Sequence, residues 1–118
     1  MSVVGDVVYV TSECQVFRLT ASGLEVVAGS GVIGFDGDCI PARQAALNNP
    51  SGVAGDTAGN LYITDNGNYR VRKIDTDQIM RSVSSSATDA QLNHPSGVAV
   101  DTAGNLYIAD SFNSRVRK

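Results

Sequence analysis

The sequence says the same thing twice, 45 residues apart. Residues 47–73 read LNNPSGVAGDTAGNLYITDNGNYRVRK and residues 92–118 read LNHPSGVAVDTAGNLYIADSFNSRVRK, identical at 21 of 27 positions. A fixed period of this size marks a repeat architecture. Each unit is too small to bury its apolar face alone and is stable only when stacked on its neighbours. Function is therefore to be sought in an array of units.

Each copy parses into short strands. Residues 52–55 and 97–100 are small and apolar, which suits a crowded, buried strand. Asp56-Thr57-Ala58-Gly59-Asn60 and Asp101-Thr102-Ala103-Gly104-Asn105 follow as turns, in which Asp caps with its carboxylate and Gly supplies a positive φ. Brief strands come next at 61–64 and 106–109, then a polar loop. Arg-Val-Arg alternation then predicts strands over 70–74 and 115–118. Residues 75–77 read as a turn, and 78–84 as a fourth, outer strand. No 3.6-residue apolar period occurs, so a helix is confined to a single turn around 41–46.

The N-terminal third is a diverged copy. Residues 7–11 echo 61–64, residues 16–19 echo 71–74, and 24–28 add a strand. With the strands of a unit named A to D from inside outwards, the chain reads BCD, ABCD, ABC. Four short antiparallel strands per repeat of about 45 residues is the arithmetic of a propeller blade. The expected fold class is all-β: an antiparallel β-propeller of about two and a half blades. The boundaries are a blade remnant over about 1–28, a linker over 29–49, a blade over about 50–84 and a blade over about 95–118.

Net charge is −3, which argues against an extended phosphate-binding surface. Six of the nine basic residues lie in the two RVRK segments. No apolar run approaches the ~18 residues of a membrane-crossing helix. The start, MSVVGDVVYVTSE, lacks the basic region and apolar stretch of a signal peptide.

The segment PSGVAVDTAGNLYIADSFNSRVRK closely resembles the NHL repeat. VAGSGVIGFDGDCIPARQAALNNP resembles the inter-repeat linker of bacterial-type and teneurin-like NHL proteins, which usually reads closer to GDGGPA; Cys39 and Ile40 interrupt it here. The resemblance is strong over residues 29–118 and weak over 1–28. It implies a ring of about six blades. Two expectations follow: the chain is part of a larger propeller, or copies of it associate to complete one.

Little in the chain suggests chemistry. NHL-like amidating lyases, zinc-dependent enzymes on a similar fold, need several converging His, Cys or carboxylate ligands. The single His, His94, reads as a turn residue, matched by Asn49 in the sister copy. Asp36 and Asp38 hint at calcium but lack the further ligands of a binding loop. Asp65 and Arg70 recur as Asp110 and Arg115. A catalytic pair normally appears once, so these read as ion pairs that stabilise loops. Asn68 and Asn113 suit a positive φ in the same turns. No phosphate loop or nucleophile elbow is present. The expectation is a non-catalytic module with no cofactor and no metal. The alternative is a fragment of a propeller enzyme whose ligands lie in other blades. The third reading, RNA binding, rests on the tripartite-motif and Brat-like members of the family. Against it, the arginine stems here are placed to pack between blades.

Of the six mismatches between the copies, four fall in one loop. Thr64 faces Ala109, Asn66 faces Ser111, Gly67 faces Phe112, and Tyr69 faces Ser114. This is the loop between strands B and C. In a propeller it shares a face with the D–A connection, here the long segment 29–49. Scaffold positions recur in repeat proteins while ligand-facing loops diverge. Asn66, Tyr69, Ser111, Phe112 and Ser114 are therefore the expected partner-binding face, with Tyr69 and Phe112 as anchors and a protein as partner. The alternative is that these loops are merely unconstrained. Cys14 and Cys39 fall on the same face. They read as two free thiols, or as a single disulfide in an oxidising compartment. An extracellular or cell-surface location is preferred to a cytoplasmic one.

Overall fold

A computed structural model describes residues 2–4, 7–34, 39–68, 70–82, 95–110 and 115–117. These form three antiparallel sheets. The first has the order β1 (Ser2–Val4), β2 (Val7–Thr11), β3 (Val16–Thr20), β4 (Gly23–Ala28). The second is built from β6 (Pro50–Gly55), β7 (Leu61–Asp65), β8 (Arg70–Ile74) and β9 (Ile79–Ser82), with β5 (Ile40–Pro41) on its outer edge. The third holds β10 (Pro95–Val100), β11 (Leu106–Asp110) and β12 (Arg115–Arg117). Two 3-10 turns, η1 (Ala42–Gln44) and η2 (Asn66–Asn68), complete the described elements. The inner strand β6 packs against both β1 and β10. The fold is a partial β-propeller, as expected.

Two strand counts differ from expectation. The first sheet has an inner strand, because Val4 pairs with Val7 and Val3 with Val8 in a tight hairpin register. The second sheet gains a fifth strand from the linker, through Ile40 opposite Met80 and Pro41 opposite Ile79. Pro41 has no N–H to offer, so the outer edge of that sheet ends in a residue that resists further pairing. The single helical turn expected near 41–46 is η1.

The linker is a wedge as well as an edge. Its Ala42, Ala45 and Leu47 are buried in one cluster with Tyr9, Val16 and Ala28 of the first sheet and Val53, Ile63, Ile74 and Met80 of the second. Alternation along β8 serves both neighbours. Ile74 joins that cluster, whereas Val71 packs with Ile108 of the third sheet. Apolar burial of this kind contributes about 25 cal/mol per Å² removed from water.

The repeat also fixes how blades approach one another. Ser51 Oγ donates to the carbonyl of Ser96 at 3.0 Å, and these two residues hold the same place in the two copies. A Cβ on Gly52 would lie 3.3 Å from Gly97 Cα, so glycine permits this approach. The turn motif repeats atom for atom. Asp56 Oδ1 accepts from the backbone of Ala58 and Asn60, and its Oδ2 accepts from Asn60 Nδ2 and Tyr62 Oη. Asp101 does the same with Ala103, Asn105 and Tyr107. The recurring D-T-A-G-N-L-Y string is thus the sequence of one turn.

Candidate functional site, the loop face

The B–C loops and the D–A connection are tied into one surface by hydrogen bonds. Asn49 N–H donates to Glu13 O in the β2–β3 loop at 2.7 Å, with Asn49 held at a φ of 54°. Gly67 N–H, in η2 between β7 and β8, donates to Asn48 O at 2.8 Å. Asn68 Nδ2 reaches back to Gly34 O at 2.9 Å. Gly34 N–H in turn bonds Leu47 O at 3.0 Å, and Ile33 bridges Leu47 in parallel. Residues 29–34 and 45–49 therefore lie between the first two B–C loops and lock them together.

Asp65 sits beneath this surface. It is fully buried at the end of β7. Its Oδ1 accepts from Asn48 N–H at 2.8 Å, and its Oδ2 accepts from Asn68 Nδ2 at 2.8 Å and Arg72 Nη1 at 3.4 Å. Burial pushes its carboxyl above the ordinary range, and the donors of Asn48, Asn68 and Arg72 offset only part of that. Both oxygens are engaged and the group is out of reach of solvent, which suits a structural role rather than acid–base chemistry. The ion partner corrects the expected Asp65–Arg70 pair. Arg70 stands directly opposite Asp65 in register, but its guanidinium turns to Asn68 O and Ser82 Oγ, while Arg72 reaches Asp65 diagonally.

Of the five residues expected to bind a partner, Asn66 lies half-buried in η2. Tyr69, Ser111, Phe112 and Ser114 lie outside the described residues, as do Asp36, Asp38, His94 and Asn113. Three of the positions at which the copies differ are closely packed in the second copy. Gly67 leaves room for the Asn48 side chain, which a Cβ would strike. Thr64 is buried and hydrogen-bonds Ser51 Oγ at 2.9 Å. Gly55, matched by Val100, lies against Val4, whose Cγ1 would be 2.5 Å from an added Cβ.

The structure adds two residues that sequence reading missed. Val32 and Ile33 are 64% and 56% exposed on this face. An apolar pair inside a Gly-rich connection was the available signal. Cys14 and Cys39 are both free thiols in the structure. Cys14 lies in the β2–β3 loop. Cys39 is drawn to the outer edge of the second sheet, where its N–H bonds Met80 O and its Sγ meets Arg81 Nη1 at 3.1 Å. Among the described residues, no three His, Cys, Asp or Glu side chains come together. Among the same residues, no helix is long and apolar enough to cross a membrane.

Comparison with known proteins places these features. The NHL repeat family matches residues 47–74 and 92–118. No curated protein matches the chain by sequence. Among solved structures, a protein of unknown function from Bacteroides thetaiotaomicron VPI-5482 is 25% identical with a TM-score of 0.80, over 95% of this chain and 32% of that one. An auxiliary nutrient binding protein from Bacteroides ovatus ATCC 8483 is 20% identical with a TM-score of 0.71, over 96% of this chain and 34% of that one. A streptogramin B lyase is 12% identical with a TM-score of 0.62, over 94% of this chain and 33% of that one. The chain thus spans about a third of the length of each of these structures.

Proposed function

Because residues 47–74 and 92–118 are NHL repeats built into propeller blades, we propose that the chain is a non-catalytic binding module whose loop face docks a protein partner. The observation that carries this reading is the loop face itself. Asn48 and Asn49 lock it into one surface, and it exposes Val32 and Ile33 side by side. A rigid surface with exposed apolar anchors favours association, because little freedom is lost on binding. The name of the neighbouring nutrient binding proteins supports a binding role for this architecture. Against an RNA surface stands Arg72, which is fully buried beside Asp65 and cannot meet a phosphate.

A photo-activated cross-linker placed at Val32 tests the reading, with the same probe at exposed Thr57, in the A–B turn, as control. The expected result is a discrete protein adduct from position 32 and none from 57. Equal adducts from both positions, or none from either, refute it. Completion of the ring by a second copy is the special case in which the adduct is a dimer of the chain.

A further inference from the structure

A concavity lies away from the loop face, where the first sheet meets the linker. It is a cleft of about 530 Å³, a size that suits a small molecule. Arg18 on β3 and Glu25 on β4 form one wall, directly opposite each other in register. Arg43 and Gln44 in η1, together with Pro41 and Gln78, complete its lining. Glu25 holds both guanidiniums in place: Arg18 Nη2 donates to its Oε2 at 2.9 Å and Arg43 Nη2 to its Oε1 at 3.1 Å.

Three observations give this cleft a chemistry. An arginine carries five N–H donors in a planar fork, and each of these two uses Nη2 on Glu25, which leaves other donors for a ligand. Two guanidiniums against one carboxylate leave a single positive charge, in a chain whose net charge is −3. The two glutamine amides each present a donor and an acceptor, the pattern that matches hydroxyl groups.

The cleft is also not a copied device. The place of the Arg18–Glu25 pair is taken in the second sheet by Lys73 opposite Arg81, two like charges. η1 belongs to the long linker, which has no counterpart of equal length between the second and third copies. What recurs in a repeat protein is scaffold; this constellation occurs once among the described residues.

We propose that this cleft is a binding site for a small hydroxylated monocarboxylate, a sugar acid, with Arg18 and Arg43 taking its carboxylate and Gln44 and Gln78 its hydroxyls. The planar forks match a carboxylate.

Titration calorimetry of the whole chain with glucuronate, glucose and glucose 6-phosphate tests it. Saturable binding of glucuronate is expected, with none of glucose. Arg43→Gln and Arg18→Gln should each weaken binding about tenfold, whereas Arg81→Gln should leave it unchanged. Arg43 is the more exposed of the two arginines, at 65% against 43% for its side chain, so Arg43→Gln gives a test that does not depend on folding. No saturable glucuronate binding up to about 10 mM overturns the proposal. So does binding that both substitutions leave unchanged, and so does binding of glucose 6-phosphate alone.

Discussion

Asp65 and Arg72 meet at 3.4 Å with both side chains wholly shielded from solvent, and they do so diagonally across the β7–β8 ladder. The contact ties the loop face to the blade beneath it, because the same carboxylate also holds Asn48 and Asn68. Removing one partner of a buried pair leaves an uncompensated charge. Asp65→Ala is therefore expected to lower stability by about 3–5 kcal/mol, whereas replacing Asp65 and Arg72 together by apolar residues recovers much of the loss. Urea unfolding of the three chains measures this. A loss below about 1 kcal/mol for the single variant would mean that the pair behaves like an exposed one.

The aspartates that cap turns make stability depend on pH in acid. Burial alone would raise the Asp56 carboxyl, but the hydrogen bonds from Asn60, Tyr62 and Ala58 outweigh it and hold the group below its ordinary value. Asp101 is lowered chiefly by the Asn105 side chain and Asp75 chiefly by the backbone of Ile79. For each, the unfolded chain binds the proton more tightly. The stability they supply is complete above the ordinary Asp pKa of about 3.9 and is lost as pH falls through the folded values. Asp65 has the opposite sign: with its carboxyl raised by burial, it favours the folded state less as pH climbs through the window just above that value. Changing Asp56, Asp75 and Asp101 together to Asn should flatten the acid limb of urea midpoint against pH. Asp65→Asn should remove only the opposing slope. An acid limb as steep in the triple variant as in the parent would rule out these turns as its source.

What the sequence disclosed is what its physics keeps local. The Asp56 turn was readable because Asp, Gly, Asn and Tyr lie within seven residues and satisfy one another. The inner strand at Ser2–Val4 was not, because nothing in three residues announces a strand until Val7–Tyr9 pairs with it. Arg70 and Arg72 lie on the same side of β8, so alternation could not decide which of them Asp65 would take. Gly67 packs against Asn48, which is matched by Asn93 in the other copy, so aligning the copies gave no hint of that contact. Such contacts join distant parts of the chain and leave no mark on spacing. Val32 and Ile33 stand exposed on a segment whose backbone bonds Ala42, Ala45 and Leu47 of the buried wedge, a pairing that only the folded linker reveals.

Gly55 and Val100 occupy the same place in the two copies, and the reason they differ is Val4. A side chain at Gly55 would run into Val4 Cγ1 across the seam between the first two inner strands. Gly55→Val, which makes the second copy more like the third, should therefore destabilise by about 1–3 kcal/mol through overpacking. Val4→Ala in the same chain should restore part of the loss. Equal melting temperatures for parent and Gly55→Val would show that the seam yields freely.

Gln78 is the residue whose replacement by glycine should help. Asp75 Oδ1 accepts from the backbone of Asp77 and Ile79, as Asp56 Oδ1 accepts from Ala58 and Asn60, so Gln78 stands where the other turn has Gly59. Gly59 has a φ of 94°, and Gln78 is held at 67°. A side chain in this left-handed region costs roughly 1–2 kcal/mol, and glycine gives back about 0.5–1 kcal/mol through its freer unfolded chain. The backbone bonds of Gln78, from its N–H to Asp75 O and from Ala42 N–H to its carbonyl, need no side chain. Gln78→Gly is therefore expected to stabilise by up to about 1 kcal/mol, and Gly59→Gln to destabilise. Urea midpoints of the two variants decide it: a Gln78→Gly chain less stable than the parent would mean that the side chain contributes more than the strain it imposes.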